Sequence, residues 1–222
     1  MCLSASTMFS TASLALLLSA CGFDSALGDQ PTVTGQLEGW DLGTGFMIQG
    51  SVLKPSGALE YAIVASAPVD AAGNFSLVLP GGSVMSDLLR DEPRGFEKLP
   101  EGCMGSIQAE PQSVAFATLD LRVFQGNTDF SVRQNSDLEK QPFTGETRGE
   151  FLYADREYVE TSNVSCQRSP ADGIVDKATT NLHFKAGWNQ TISSFSLPER
   201  GERHSSYWTG APPEGVKWRL LR

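Results

Sequence analysis

Three carboxylates lie close together in the sequence: Asp155, Glu157 and Glu160. If the first two share a strand, their side chains point to one face about 6.6 Å apart, at a rise of about 3.3 Å per residue. That spacing is compatible with the acid–base pair of a glycosidase. We favour the alternative, an exposed strand edge whose charges prevent aggregation. The sequence therefore predicts a protein that is not an enzyme, with glycan hydrolysis by Asp155 and Glu157 as the alternative.

Other catalytic patterns are absent from the sequence. It contains no G-x-S-x-G, H-E-x-x-H or P-loop motif, and Gly43-Thr44-Gly45 lacks the third glycine of a dinucleotide-binding motif. The chain has two histidines. We expect His183 at an ordinary strand position and His204 in a charged, solvated loop.

Two pairs of oxygen-bearing side chains are candidates for calcium: Asp70 with Asn74, and Asp172 with Asp176. Neither pair matches the EF-hand loop. The sequence therefore predicts no metal site and no cofactor.

Aromatic residues offer a candidate contact for a ligand. Trp40, Trp188, Trp208 and Tyr207 suit either a platform for sugars or peptides or the core of a β-sandwich. Tyr207 and Trp208 are flanked by serine and glycine, and we predict that they form an exposed loop and the possible ligand contact.

The N-terminal segment carries a targeting signal. Residues 9–20 are apolar and uncharged and lead into Leu18-Ser19-Ala20-Cys21. This run is shorter than the roughly 20 residues that span a bilayer and suits the apolar core of a signal peptide. It resembles the lipobox of bacterial lipoproteins, which implies removal of residues 1–20 and lipidation of Cys21. The alternative is ordinary secretion with cleavage near Ala20.

The resemblance also implies a location and a disulfide. A lipidated protein is tethered in the cell envelope, at the outer membrane or cell surface, facing away from the cytoplasm. Cys2 is then removed and Cys21 is acylated, so Cys103 and Cys166 remain. In an oxidising compartment this pair predicts a disulfide, with two free buried thiols as the alternative.

Composition narrows the class of protein. The net charge of −9 lies entirely after residue 20, which disfavours binding to nucleic acid. The chain has 40% hydrophobic and 19% charged residues and is therefore globular. Its 22 glycines and 12 prolines favour many short strands joined by turns. The expected partners are the membrane, through the N-terminal lipid, and an envelope protein or glycan.

These patterns predict an all-β fold, with one or two small β-sandwich units and a short connecting helix after the N-terminal signal segment. Strand-like alternation, as at Phe75, Leu77 and Leu79, sets the expected divisions. They are a tether at 21–31, a β-sandwich-like unit at 32–80, a linker with a short helix at 81–112, and a second β unit at 113–222. Within the linker we expect a helix over 83–90, capped by Ser83 and ended by Pro93, and within the second unit a long exposed loop at 125–149.

Two further resemblances concern fold and function. Asp70-Ala71-Ala72-Gly73-Asn74-Phe75 resembles the closing hairpin of carboxypeptidase-regulatory-like and transthyretin-like β-sandwich repeats, which implies a scaffold without catalytic residues. Tyr153-Ala154-Asp155, Cys166 and Gly187-Trp188-Asn189 resemble uncharacterised bacterial secreted lipoproteins, which supply no activity. The sequence thus predicts a lipid-anchored structural or ligand-binding module of the envelope. An envelope glycan hydrolase and a lipocalin-like carrier with a closed barrel are the alternatives.

Overall fold

A computed structural model describes residues 26–28, 30–56, 59–93, 99, 101–136, 145–169, 174–196 and 201–221. The predicted signal segment and Cys21 lie outside these residues, as does most of the predicted tether. The described chain is all-β, which confirms the predicted fold class.

Fifteen strands and one short helix make up the described part of the chain. They are β1 (Ala26–Gly28), β2 (Thr32–Gln36), β3 (Met47–Leu53), β4 (Tyr61–Pro68), β5 (Asn74–Val78), α1 (Gly82–Met85), β6 (Arg90–Pro93), β7 (Cys103–Glu110), β8 (Ser113–Gln125), β9 (Thr128–Asn135), β10 (Gly145–Ala154), β11 (Tyr158–Ser169), β12 (Ile174–Phe184), β13 (Gly187–Ser196), β14 (Glu202–Thr209) and β15 (Lys217–Leu221). A 3₁₀ turn, Ser86–Leu88, follows α1 directly.

Thirteen strands pair in one large sheet, in the order β4-β3-β8-β9-β10-β13-β14-β12-β11-β7. Strand β1 joins it at β13, β6 at β8 and β15 at β9, while β2 and β5 form a separate two-stranded sheet. The β12–β14 pair is parallel. Since β3 pairs with β8, strands of the segments 32–80 and 113–222 share the large sheet.

The small sheet covers part of one face of the large sheet. In β5 the side chains of Phe75 and Leu77 are buried and those between them are exposed, which confirms the alternation predicted for this strand. They join one buried cluster with side chains of the large sheet that include Ile48, Val123 and Trp188. A second cluster, on the opposite face, contains Tyr158 and Phe184, whose rings stack with centroids 5.8 Å apart.

The turn between β4 and β5 forms as predicted. Asp70 Oδ1 accepts hydrogen bonds from the backbone N–H groups of Ala72 at 2.9 Å and Asn74 at 2.8 Å. Gly73 has φ +80°, a conformation that glycine adopts without the cost of a side chain. The two strands that it joins belong to different sheets, so the expected hairpin of paired strands does not form, and an isolated bridge links Val69 with Phe75 instead.

The predicted linker at 81–112 contains more structure than one helix. The helix is shorter than predicted, and Gly81 occupies the N-cap position expected for Ser83. Strands β6 and β7 follow in the same segment, and Pro93 is the last residue of β6.

The prediction of one long exposed loop at 125–149 is wrong for the part that the structure describes, and residues 137–144 lie outside the described residues. Strand β9 lies within it and β10 begins at Gly145. Three polar side chains of the segment, Gln134, Asn135 and Glu146, are buried and form hydrogen bonds with one another or with neighbouring strands. Amino-acid composition does not predict such burial, because polar side chains are expected at the surface unless a buried hydrogen-bond partner is known.

No helix among the described residues has the length and apolarity needed to cross a bilayer.

Candidate functional site

Strand β8 changes its neighbour along its length and thereby opens a gap in the large sheet. It pairs with β10 through residues 116–118 and with β9 through residues 121–125. Strand β9 in turn pairs with β10 through residues 134–135. The three strands, together with Leu53 of β3, Tyr61 of β4 and Trp218 of β15, line a cavity of about 320 Å³, called the strand gap below.

The inner wall of the strand gap is apolar. Leu119, Leu121 and Val132 are buried and line it together with Phe151 and Trp218. The Phe151 and Trp218 rings stack with centroids 5.9 Å apart and planes 4° apart. Phe75 of the small sheet packs edge-on against the same indole at 5.3 Å, so Trp218 joins the gap to the main core.

The Trp218 indole is positioned by the close approach of the β2 backbone. A Cβ atom on Gly35 would lie 2.3 Å from the Trp218 ring, closer than real Cβ contacts allow. Glu38, just after β2, donates its backbone N–H to the Trp218 carbonyl at 2.8 Å. Glycine at position 35 therefore lets the small sheet close onto β15.

A buried glutamine, Gln134, lines the gap where β9 pairs with β10. Gln134 accepts a hydrogen bond at Oε1 from Gln190 Nε2, at 2.9 Å. Its side chain passes over Gly149, where a Cβ atom would lie 2.3 Å from Oε1. The hydrogen bond to Gln190 of β13 and the lack of a side chain at Gly149 therefore fix the position of the Gln134 amide.

The mouth of the gap carries charges of both signs. Asp120, Glu150 and Arg133 line the cavity and are exposed, and Arg148 beside them is half-buried. Within the described residues, none of the first three forms a salt bridge. Two carboxylates and one guanidinium are therefore available at the mouth.

Glu146 fixes the position of the Arg148 side chain. The Arg148 Nε donates to Glu146 Oε2 at 2.7 Å, and Asn135 Nδ2 donates to Glu146 Oε1 at 2.9 Å. Burial opposes the ionisation of Glu146, but these hydrogen bonds and the charges of Arg148 and Arg133 outweigh it and lower its pKa. The bond to Glu146 likewise raises the pKa of Arg148. Arg148 also lies over the Phe195 ring, 5.5 Å from its centroid.

No known protein family matches this chain, and neither a curated protein nor a solved structure is similar to it. The assignment of a function therefore rests on the geometry of the described residues.

A second cavity, of about 560 Å³, lies where the small sheet meets β15. Gln36, Trp40 and Trp218 line it, and Glu38 spans its edge by pairing with Lys217 and with Arg219, the latter at 2.7 Å. Its charged groups are paired with one another, whereas Asp120, Glu150 and Arg133 at the mouth of the strand gap form no salt bridge within the described residues.

The predicted acid pair does not share a strand. Strand β10 ends at Ala154, and Asp155 and Glu157 lie in the bend before β11. Asp155 Oδ1 accepts the backbone N–H of Ala115 at 3.0 Å, and its own N–H donates to the Ala115 carbonyl at 2.9 Å. Glu160 accepts the Tyr158 hydroxyl at 2.5 Å. Asp155 therefore ties the end of β10 to β8, and the strand-face geometry proposed for the pair is wrong.

Tyr207 and Trp208 lie in strand β14, so the predicted loop at this position is wrong. Adjacent residues of a strand point to opposite faces. Tyr207 is 46% exposed on the face that carries Arg148, whereas Trp208 is half-buried on the other. One compact ligand therefore does not contact both rings.

The predicted disulfide is confirmed. Cys103 and Cys166 are directly opposite in the β7–β11 pair, with Cα atoms 4.0 Å apart and the sulfur atoms bonded.

The remaining residues considered for metal binding or catalysis form contacts within the fold. Besides its backbone contacts, Asp70 accepts a hydrogen bond from Asn74 Nδ2 at 2.9 Å. Asp172 lies outside the described residues, and the described part of the chain holds no cluster of three potential metal ligands. His183 occupies a strand position as predicted, but His204 lies in β14 instead of a loop, 3.4 Å from Glu202.

Of the other tryptophans, Trp188 is fully buried and donates from Nε1 to the Pro80 carbonyl at 2.8 Å. Trp40 is half-buried and packs edge-on against Phe46, with ring centroids 5.4 Å apart. Both therefore serve the core.

The sequence reasoning missed the strand gap. Its lining comes from six strands spread between residues 53 and 218, and part of it lies in the segment predicted to be a loop. The one signal in the sequence is the alternation of Leu119 and Leu121 with Thr118 and Asp120, which places charge beside apolar side chains on one strand.

Proposed function

We propose that this chain is a lipid-anchored envelope protein whose folded part binds a small ligand in the strand gap. The geometry of the gap carries the proposal: a cavity of about 320 Å³ with an apolar inner wall and a few polar groups at its mouth. Sites for small molecules typically span about 300–1,000 Å³ and combine these same features.

The charges at the mouth indicate the class of ligand. Asp120 and Glu150 attract a cationic group, and Arg133 and Arg148 attract an anionic one. A guanidinium that is already oriented, as Arg148 is by Glu146, binds a carboxylate with charge-assisted hydrogen bonds. A free amino acid or dipeptide with an apolar side chain matches these features. Its ammonium group suits the carboxylates, its carboxylate suits the guanidinium groups, and its hydrocarbon group suits Leu119, Leu121 and Phe151.

Anchoring is the second part of the proposal. Two acyl chains at Cys21, with an amide-linked third, bury enough methylene groups to make attachment effectively permanent. The N-terminal sequence supports this part, and the folded domain would then present the gap at the cell envelope.

We propose a binding role without catalysis. The acid pair considered from the sequence is separated by the local fold, because Asp155 is engaged with the backbone of β8 while Glu157 is exposed in the bend.

Calorimetric titration with L-leucine, L-phenylalanine and leucyl-leucine tests the binding proposal. N-acetyl-L-leucinamide keeps the side chain but lacks both charges, and should bind at least tenfold more weakly. Glu150→Gln and Arg133→Gln should each weaken binding of the charged ligands, whereas Glu214→Gln, an exposed carboxylate outside the gap, should not. Equal affinity for the blocked and unblocked leucine would contradict the assignment of the mouth residues.

A further inference from the structure

One face of the large sheet is exposed across β7, β11, β12 and β14. This face is opposite the one that carries Arg148, because the register places Arg148 in the alternate row. Its central side chains are uncharged hydrogen-bonding groups, and we call this surface the neutral face: Gln108, Thr161, Asn163, Thr179, Asn181 and Ser206. All but Ser206, which is half-buried, are exposed.

The neutral face is an ordered array. Asn163, Thr179 and Ser206 are directly opposite one another on three successive strands, and Thr161, Asn181 and Trp208 form the next parallel row. Hydrogen-bonded strands lie about 4.8 Å apart, and alternate residues along a strand about 6.6 Å apart. The hydroxyls of Thr179 and Ser206 are 3.0 Å apart and so hold each other in position.

The absence of charge at the centre of this face is unusual for this chain. The protein carries a net charge of −9, and an exposed sheet commonly uses lysine and glutamate to remain soluble. Here the ionisable side chains lie at the margin. Lys177 pairs with Glu202 at 2.7 Å at one end, beside His204. Glu110 and His183 lie at the other end, where the His183 ring is 3.1 Å from the Asn181 amide oxygen. The centre is thus suited to a partner that is itself uncharged.

We propose that the neutral face binds an uncharged polysaccharide. Hydroxyl and amide side chains both donate and accept hydrogen bonds, which matches the hydroxyl groups of a sugar chain without requiring charge on either side. The strand spacing is comparable to the length of one pyranose ring, so successive sugars meet successive strands. Trp208 at the border offers an aromatic surface for the apolar side of a sugar ring.

Affinity electrophoresis of the full-length protein tests this proposal. The gels contain hydroxyethylcellulose, laminarin or soluble starch, with alginate as a charged polymer. We expect retardation by at least one of the three neutral polysaccharides and none by alginate. Thr179→Glu should reduce the retardation at least tenfold, since it places a charge at the centre of the array on an exposed side chain that the fold tolerates.

Ser76→Glu is the matched control, because Ser76 is an exposed strand residue of the small sheet. It should leave the retardation unchanged. Trp208→Ala should also reduce the retardation, independently of Thr179→Glu. Near-ultraviolet circular dichroism shows that this variant is folded. Failure of all three neutral polymers to retard the protein, equal retardation of Thr179→Glu and wild type, or equal retardation by alginate would each overturn the proposal.

Discussion

Trp218 and Phe151 stack face to face, with centroids 5.9 Å apart and planes only 4° from parallel. Phe151 belongs to β10, a wall of the strand gap, and Trp218 belongs to β15, on which the small sheet closes. The pair therefore connects the proposed binding cavity to the packing of the two sheets. A change in the core at this point is expected to affect both stability and the shape of the gap.

The first prediction concerns that connection. Trp218→Ala should lower the free energy of unfolding by about 3–5 kcal/mol, the range for removing a buried large aromatic side chain. Tyr207→Ala is the control and should cost about 1 kcal/mol, because nearly half of its surface is already exposed. Chemical denaturation followed by circular dichroism measures both. Similar losses of unfolding free energy in the two variants would show that the Trp218 indole does not stabilise the packing of the two sheets.

The second prediction concerns acid stability. The pKa of Glu146 is lowered below its ordinary 4.5 in the folded protein. The unfolded chain therefore takes up the proton first as the pH falls. The stabilisation is fully present above about pH 4.5 and is lost as the pH falls through the folded-state pKa.

Glu146→Gln tests this, because glutamine keeps an amide at the site but does not ionise. At pH 7 the variant should be less stable by about 1–3 kcal/mol, the value of hydrogen bonds to a charged group. The difference from wild type should shrink as unfolding is measured at successively lower pH, down to about 3. Glu214→Gln, at an exposed position, is the control. A difference that stays constant with pH would refute a role for the Glu146 charge.

The third prediction concerns the disulfide between Cys103 and Cys166. It closes a loop of 63 residues, and the chain-entropy account gives about 4 kcal/mol of stabilisation for a loop of that length. The double variant Cys103→Ser, Cys166→Ser should lose roughly that amount in denaturant. Thiol labelling of the denatured, unreduced protein should find neither cysteine free. Full labelling of both positions would show that the bond does not form in the native host.

The fourth prediction concerns attachment to the membrane. Cys21→Ala should move the protein from membrane to soluble fractions on cell fractionation, because the acylated side chain is lost. Ser25→Thr, four residues after Cys21 and outside the Leu18-Ser19-Ala20-Cys21 motif, is the control. Equal retention of Cys21→Ala and wild type in the membrane fraction would rule out the lipid anchor.

The parts of the fold that depend on local pattern were predictable. The alternation of Phe75 and Leu77, the turn at Gly73 and the pairing of Cys103 with Cys166 follow from short-range spacing or residue counting. The strand gap was not predictable, because it arises where β8 changes partner, a property of sheet order. Strand β9 was missed for a related reason: Gln134 and Asn135 are buried by hydrogen bonds to other strands, although they are polar.

The most direct test of the binding proposal is the chemical shift of the Trp218 indole N–H in a titration of the ¹⁵N-labelled protein with L-leucine. Trp218 lines the inner wall of the gap, whereas Trp40, Trp188 and Trp208 provide three internal reference signals. We predict a saturable shift of the Trp218 signal that N-acetyl-L-leucinamide reproduces only at concentrations at least tenfold higher. An unchanged Trp218 signal at saturating L-leucine, L-phenylalanine and leucyl-leucine would contradict binding in the strand gap.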